Sequence, residues 1–277
     1  MVGLVLVAAV MHATWNAIVK VGEDRLVAIT TAMAVSGALA PILIVAGRAP
    51  AVESWPYIAL SVVVHTGYFV LLARTYRFGD LSHSYPLARG IAPVLVAGGA
   101  AAVGAERLSL AEIAAIGVIS SGILSLAFAG RRHPGADSRA TAYALATGGL
   151  IALYTVSDGL GVRAAGDPMG YIGWLFLFSP LPVIALVVVR RRPGVLAIAV
   201  RGFRPAAVGG VLSFAAYGLV IWALSLGPMA HVSALRETSV VVAALIGSRL
   251  LGEPFGVRRV LAAVTVALGV MALETVA

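Results

Sequence analysis

Arg89, Asp158, Arg236 and Glu237 are ionisable residues set inside long apolar runs. An ionisable side chain in hydrocarbon costs about 2.5–3.5 kcal/mol on insertion scales, so such residues face a cavity or a partner. Arg236 and Glu237 are the sharpest case. They sit within Met229 to Leu251, which otherwise reads as one membrane-crossing helix. Leu81 to Val103 repeats that plan, with Arg89 at the equivalent place. The chemistry these groups offer is charge recognition: a guanidinium holds an anionic oxygen group, and a carboxyl shut away from water can carry a proton.

Other polar residues gather at helical spacing. His12, Trp15 and Asn16 follow the i, i+3, i+4 pattern and share a face, and Tyr154 and Asp158 repeat it at the start of the second half. His65 and Tyr68 fall on one face, as do Ser213 and Tyr217. Ser82, Tyr85 and Arg89 line up one turn before Pro93, a residue that frees backbone carbonyls where neighbours re-satisfy them. The candidate substrate-binding set is therefore His12, Trp15, Asn16, His65, Tyr68, Tyr85, Arg89, Tyr154, Asp158, Tyr217, Arg236 and Glu237. At 1.5 Å rise per residue, Arg89 and Glu237 each lie about 12 Å from opposite faces of a core about 30 Å thick. Neighbours on a helix point about 100° apart, so Arg236 and Glu237 are not expected to be each other's main partner. The expected pair is Asp158 with Arg236, with Glu237 nearer the cavity and Arg89 bonded to Asn16 or to an anionic cargo group.

Plainer readings of these residues stand beside that one. Arg89 and Arg236 would also serve by tying helices together through backbone carbonyls, and Asp158 by meeting water at a membrane face. The histidines and tyrosines would serve as satisfied packing residues, and Trp55 and Trp174 as interfacial or packing aromatics. Asp80 reads as a helix cap, and Glu106 and Glu253 as residues of short turns. The Gly117 to Gly122 spacing serves internal helix packing and specifies no oligomer.

No catalytic constellation is visible, and no metal or cofactor is expected: His12 and His65 are too few and too separated for a zinc site. Lys20 is the only lysine and no P-loop pattern contains it, which argues against ATP-driven transport. The chain has no cysteine, so thiol chemistry is excluded.

The elements that position these groups follow from composition. Of 277 residues, 60% are hydrophobic and only 12% charged, whereas soluble domains average about 25% charged. A net charge of +8 invites a nucleic-acid reading. That reading fails, because the arginines lie between apolar segments rather than in one basic module. Ten apolar segments are long enough to cross a bilayer: 2–20, 26–47, 57–76, 81–103, 108–129, 141–162, 169–189, 206–226, 229–251 and 256–275. No cleavable signal peptide is expected, since no basic region precedes the first of them. The longest connections are the Arg131–Gly135 linker and the Arg190–Arg204 loop, and neither reads as a soluble domain. Arg48, Arg107 and Arg163 fall on the face of the termini, and the other loop arginines with Lys20 fall opposite. The positive-inside rule then makes the termini external.

The chain is also duplicated. Arg89 and Arg236 are separated by the same interval as Glu106 and Glu253, and as Gly122 and Gly269. His12 and Asn16 match Tyr154 and Asp158 at a slightly shorter interval. Five helices per copy is an odd number, so the second copy is expected inverted in the membrane. The first copy spans 1–129 and the second 141–277, joined by a cytoplasmic linker at 130–140.

These residues resemble a family. His12-Ala13-Thr14-Trp15-Asn16 with Lys20, Gly79-Asp80-Leu81-Ser82, Tyr85-Pro86-Leu87-Ala88-Arg89-Gly90 and Pro93 carry the likeness in the first half. Leu235-Arg236-Glu237-Thr238-Ser239-Val240 and Leu251-Gly252-Glu253-Pro254 carry it in the second. Together they look like two EamA-type repeats of the drug/metabolite transporter superfamily, in a subgroup sometimes associated with phosphonate use. The resemblance implies an all-α, ten-helix carrier whose cavity is lined by helices 1, 3, 4, 6, 8 and 9. It also implies cytoplasmic termini, against the charge reading. The expected function is secondary transport, by alternating access, of a small polar amino-acid-like metabolite outward across a bacterial inner membrane. Proton coupling is open to Glu237, Asp158 or a histidine. The rivals are a polytopic membrane enzyme acting on a lipid-linked substrate and a passive pore. The first needs an acid–base group at one membrane face, and the second a continuous polar stripe.

Overall fold

The structure is a computed structural model describing residues 1–20, 25–78, 81–127, 138–190, 195–242 and 256–276. Among these residues there is no strand; the chain is helix joined by short turns. In order the helices are α1 (Val2–Lys20), α2 (Arg25–Ala46), α3 (Trp55–Phe78), α4 (Leu81–Ala102), α5 (Leu110–Ala127) and α6 (Ser138–Ala164). They continue with α7 (Pro168–Phe178), α8 (Pro180–Arg190), α9 (Val195–Arg201), α10 (Phe203–Leu226), α11 (Met229–Arg236) and α12 (Val257–Val276).

Among the described residues seven stretches are long and apolar enough to cross a membrane: Leu26–Ala46, Val52–Leu72, Leu110–Ala127, Ser138–Ala164, Pro168–Val189, Phe203–Leu226 and Val257–Val276. The apolar helix Val2–Ile18 is shorter than these. The expected segment 81–103 forms α4, but Tyr85, Pro86, Arg89 and Pro93 leave it less apolar than that set. Outward-facing residues follow the same logic. On α12, Val257, Val260, Leu261, Val264, Leu268 and Met271 are all exposed, and water would not tolerate such a stripe. The protein is a multi-pass integral membrane protein, and the exposed apolar faces are its lipid-facing side.

Two expectations change. The Arg190–Arg204 connection contains a helix, α9, where a loop was expected. More consequentially, the helix that begins at Met229 does not run on to Leu251. It ends at Arg236, Glu237 and Thr238 form a turn, and helix resumes at residues 239–242. Around the break the backbone bonds tighten to three-residue spacing: Glu237 N–H donates to Ala234 O, Thr238 to Leu235, Val240 to Glu237 and Val241 to Thr238. The expectations placed on Gly79, Asp80, Gly252, Glu253, Pro254 and the 131–135 linker lie outside the described residues, as do the side chains of Lys20 and Ser82.

The chain divides into two compact units, residues 3–66 with 157–226, and residues 67–156 with 227–277. In the first unit α2 packs on α7, α8 and α10. Its tightest approaches come where small residues admit backbone: a Cβ on Gly210 would lie 2.5 Å from the Ala32 carbonyl. Ser36 Oγ donates across the same contact to Gly210 O at 2.9 Å. Asp167 caps α7 by accepting the Gly170 N–H at 3.1 Å, and also takes the Arg48 N–H at 2.6 Å.

In the second unit α5 packs on α4 and α12. Gly122 on α5 and Gly269 on α12, the glycines matched across the sequence repeat, both lie at the α5–α12 contact. A Cβ on Gly122 would come 3.0 Å from Val266 Cγ2, and one on Gly269 would come 2.6 Å from Ile119 Cγ1. Small residues at matching places let two membrane helices approach closely. Ser109 and Glu112 form a capping box at the start of α5, each side chain accepting the other's backbone N–H at 2.6 and 3.2 Å.

Candidate substrate-binding site

Within the second unit, six of the expected residues converge. Glu237 is fully buried at the break after α11, with one carboxylate oxygen on each of two guanidiniums. Arg89 Nε lies 2.7 Å from Glu237 Oε2, and Arg236 Nε lies 3.5 Å from Glu237 Oε1. Both arginines are buried, and Arg89 Nη2 also donates to Ser239 Oγ at 3.0 Å. Each guanidinium has a tyrosine ring beside it: Arg89 over Tyr85 and Arg236 over Tyr154, both at 5.8 Å to the centroid. Tyr68 meets Tyr154 edge to face at 5.9 Å.

The break explains how sequence neighbours come to share a charge. In a straight helix Arg236 and Glu237 diverge by about 100°. The turn at Glu237 and Thr238 breaks that projection, and Glu237 engages both arginines. Arg236 therefore meets Glu237, the neighbour from which it was expected to diverge, and Arg89 meets Glu237 and Ser239. Ser239 entered the sequence reading only as part of the Leu235–Val240 motif, with no partner assigned to it.

A small cavity opens beside Arg89, lined by Tyr68, Thr75, Ser84, Tyr85, Arg89 and Thr147, with Leu72, Ala88 and Ile151 as apolar wall. Its volume of about 10 Å³ holds roughly one water. Thr75 and Thr147 hydroxyls lie 3.4 Å apart on its wall.

A second polar cluster lies in the first unit around Asp158, which is fully buried. Tyr217 OH donates to Oδ2 at 2.5 Å and Tyr171 OH to Oδ1 at 3.0 Å. His65 packs edge to face on Tyr217 at 5.5 Å, and its Nδ1 lies 2.9 Å from the Ser61 carbonyl oxygen. Tyr171 escaped the sequence reading; it reaches Asp158 because Gly161 leaves room, a Cβ there standing 2.5 Å from the Tyr171 hydroxyl. The only signal was i, i+3 spacing of a glycine after an intramembrane aspartate.

His12, Trp15 and Asn16 are brought together on α1 and bonded to one another. Trp15 Nε1 donates to His12 Nδ1 at 3.2 Å, and Asn16 Nδ2 donates to the His12 carbonyl at 2.7 Å. Trp55 and Trp174 pack together with Phe178, at 5.3 and 6.5 Å from Trp55. Glu106 lies in the short connection before α5, as expected, and also caps α11 from far along the chain: its carboxylate accepts the N–H groups of Met229 at 2.5 Å and Ala230 at 3.3 Å. Pro228 precedes that helix with no side-chain cap, so the acidic group replaces it and meets the positive helix end. His231, one turn along, places Nε2 2.9 Å from Glu112 Oε1. Among the described residues no group of three His, Cys, Asp or Glu side chains suits a metal.

Helices made for lipid, with a buried charge cluster at a broken helix, find their match in one family. Residues 139–275 form an EamA-like transporter family domain. A solved crystal structure superposes with a TM-score of 0.73 at 16% identity, covering 98% of this chain and 95% of that one, which shows a shared fold. A search of the curated proteins returns no match. The EamA domain points to a membrane transporter of the drug/metabolite superfamily, and it does not favour the enzyme reading.

Proposed function

We propose that this protein is a secondary carrier that moves a small polar metabolite outward across a bacterial inner membrane by alternating access. One observation carries the reading: Arg89, Arg236 and Glu237 are buried together within membrane helices, at a point where one helix is broken without glycine or proline. Discontinuous helices bearing polar groups near the midplane are where carriers bind cargo. A lipid-processing enzyme needs its acid–base group at a membrane face, and none of these three is exposed.

The proposal includes ten crossings in two inverted five-helix copies, 1–129 and 141–277. Its support is the pairing of equivalent helices: α2 with α7, the second of each half, and α5 with α12, the last of each half. Gly122 and Gly269 occupy matching places in that second pair. The small volume beside Arg89 fits a closed state that must open to admit an organic solute.

Counterflow tests this reading. Proteoliposomes loaded with a mixture of amino acids and small organic acids are diluted into trace labelled solutes. A carrier accumulates its labelled cargo transiently through trans-stimulation. Leak without trans-stimulation makes the protein a pore, and no flux with chemical turnover makes it an enzyme.

A further inference from the structure

We infer that Asp158 and His65 form a proton site that couples this carrier to a pH gradient, the proton entering at His65 and settling on the Asp158 carboxyl; this rests on the carrier reading above. The surroundings of the two buried carboxyl groups differ in kind. Glu237 meets two guanidiniums, which do not release protons in proteins. The side chains acting on Asp158 are proton donors and acceptors instead. The Tyr171 and Tyr217 hydroxyls bond to it from α7 and α10, and His65 and Ser61 face it from α3. On α6 itself, Arg163 donates from Nε to the Leu224 carbonyl at 3.0 Å.

Burial grades along the cluster. Asp158 and Tyr171 are fully buried, whereas His65 and Tyr217 are partly exposed. Their exposed parts are turned away from lipid. Leu60 and Val63 are exposed on α3, and His65 lies about 140° and about 160° around the helix from them. Val211 and Trp222 are exposed on α10, and Tyr217 lies about 120° and about 140° from those. Histidine is the side chain that ordinarily changes charge near neutral pH, so the more open group is the one suited to take up a proton. Ser61 Oγ lies 3.1 Å from His65 Nδ1 and offers the step between imidazole and carboxylate.

The proton also changes what the cluster holds. As a carboxylate Asp158 accepts at both oxygens, tying α6 to α7 through Tyr171 and to α10 through Tyr217. A protonated carboxyl donates from one oxygen, so one phenol gives up its bond or turns from donor to acceptor. The bond that remains loses its charge assistance and about half its strength. One proton taken from water and passed from imidazole to carboxylate thus leaves the imidazole as it was, neutralises the carboxyl and loosens a helix contact.

The test uses the full chain, first in detergent without solute, then in proteoliposomes with the mixture of amino acids and small organic acids used for counterflow. Infrared difference spectra across a pH titration should show a carboxylic-acid band that is missing in Asp158→Asn. Tyr217→Phe removes one bond to that carboxyl and should shift the band. In proteoliposomes an imposed pH gradient should drive at least one solute to accumulate, and Asp158→Asn should abolish that accumulation. His65→Gln should keep the band and slow the pH-driven uptake by about tenfold or more. No titrating band, a band that survives Asp158→Asn, or one that Tyr217→Phe leaves unshifted would overturn the inference. So would counterflow indifferent to a pH gradient, and each of these results leaves the carrier standing. Uptake by His65→Gln at the wild-type rate would overturn the entry through His65. Absence of counterflow for every solute would remove the carrier reading and this inference with it.

Discussion

Glu237 joins the second unit's buried charges, since its carboxylate meets both Arg89 and Arg236. Removing one partner of a buried ion pair leaves the other charge uncompensated and costs about 3–5 kcal/mol. Glu237→Gln should therefore destabilise the protein by about that amount, since it leaves two buried guanidiniums beside each other, and adding Arg89→Leu should restore part of it by relieving their repulsion, read from unfolding in mild detergent. Simple additivity would mean that the two residues do not interact. The Asp158 cluster makes its own prediction. Gly161→Ala drives a methyl into the Tyr171 ring and should cost about 1–3 kcal/mol. In a Tyr171→Leu background that cost should shrink, because the ring is gone; an unchanged cost would place the clash elsewhere. At this scale the ionisable residues were legible in the sequence, since charge within an apolar run is conspicuous. Their partners were not. Setting Arg236 apart from Glu237 assumed an unbroken helix, and Tyr171 carries no charge to announce itself.

The elements were legible wherever apolar length decides them, and α2, α5, α6, α10 and α12 fall close to their expected limits. The break after Arg236 was not, because no glycine or proline marks it. Tertiary contacts accompany it, with Glu237 held against two arginines and Ser239 against Arg89. The start of α11 depends on a distant residue in the same way. Glu106→Ala removes both N–H acceptors from a helix that has no cap of its own, a loss of about 1–2 kcal/mol. Hydrogen exchange should quicken at Met229 and Ala230 while α5 stays protected. Unchanged exchange there would show that Glu106 does not hold the helix end.

At the scale of the whole molecule, each compact unit draws helices from both halves of the sequence, although the repeat itself is read along the chain. The duplication was visible in matched intervals, but the units were not, since spatial partition depends on which helix faces meet. Orientation is a prediction of the charge distribution. Arg48 and Arg201 are both exposed, and the chain has no cysteine, so single replacements label cleanly. Arg48→Cys should react with an impermeant maleimide in intact cells, and Arg201→Cys only after permeabilisation. The opposite pattern would place the termini in the cytoplasm.

The most direct measurement of the central claim is the accessibility of Ser84→Cys to an impermeant thiol reagent from each face of a sealed, oriented membrane. Alternating access predicts slow labelling from either face, with cargo shifting the balance between them, because a residue fully buried in the closed state is reached only as each side opens. Labelling from one face alone, or fast labelling from both that cargo does not alter, would contradict a carrier.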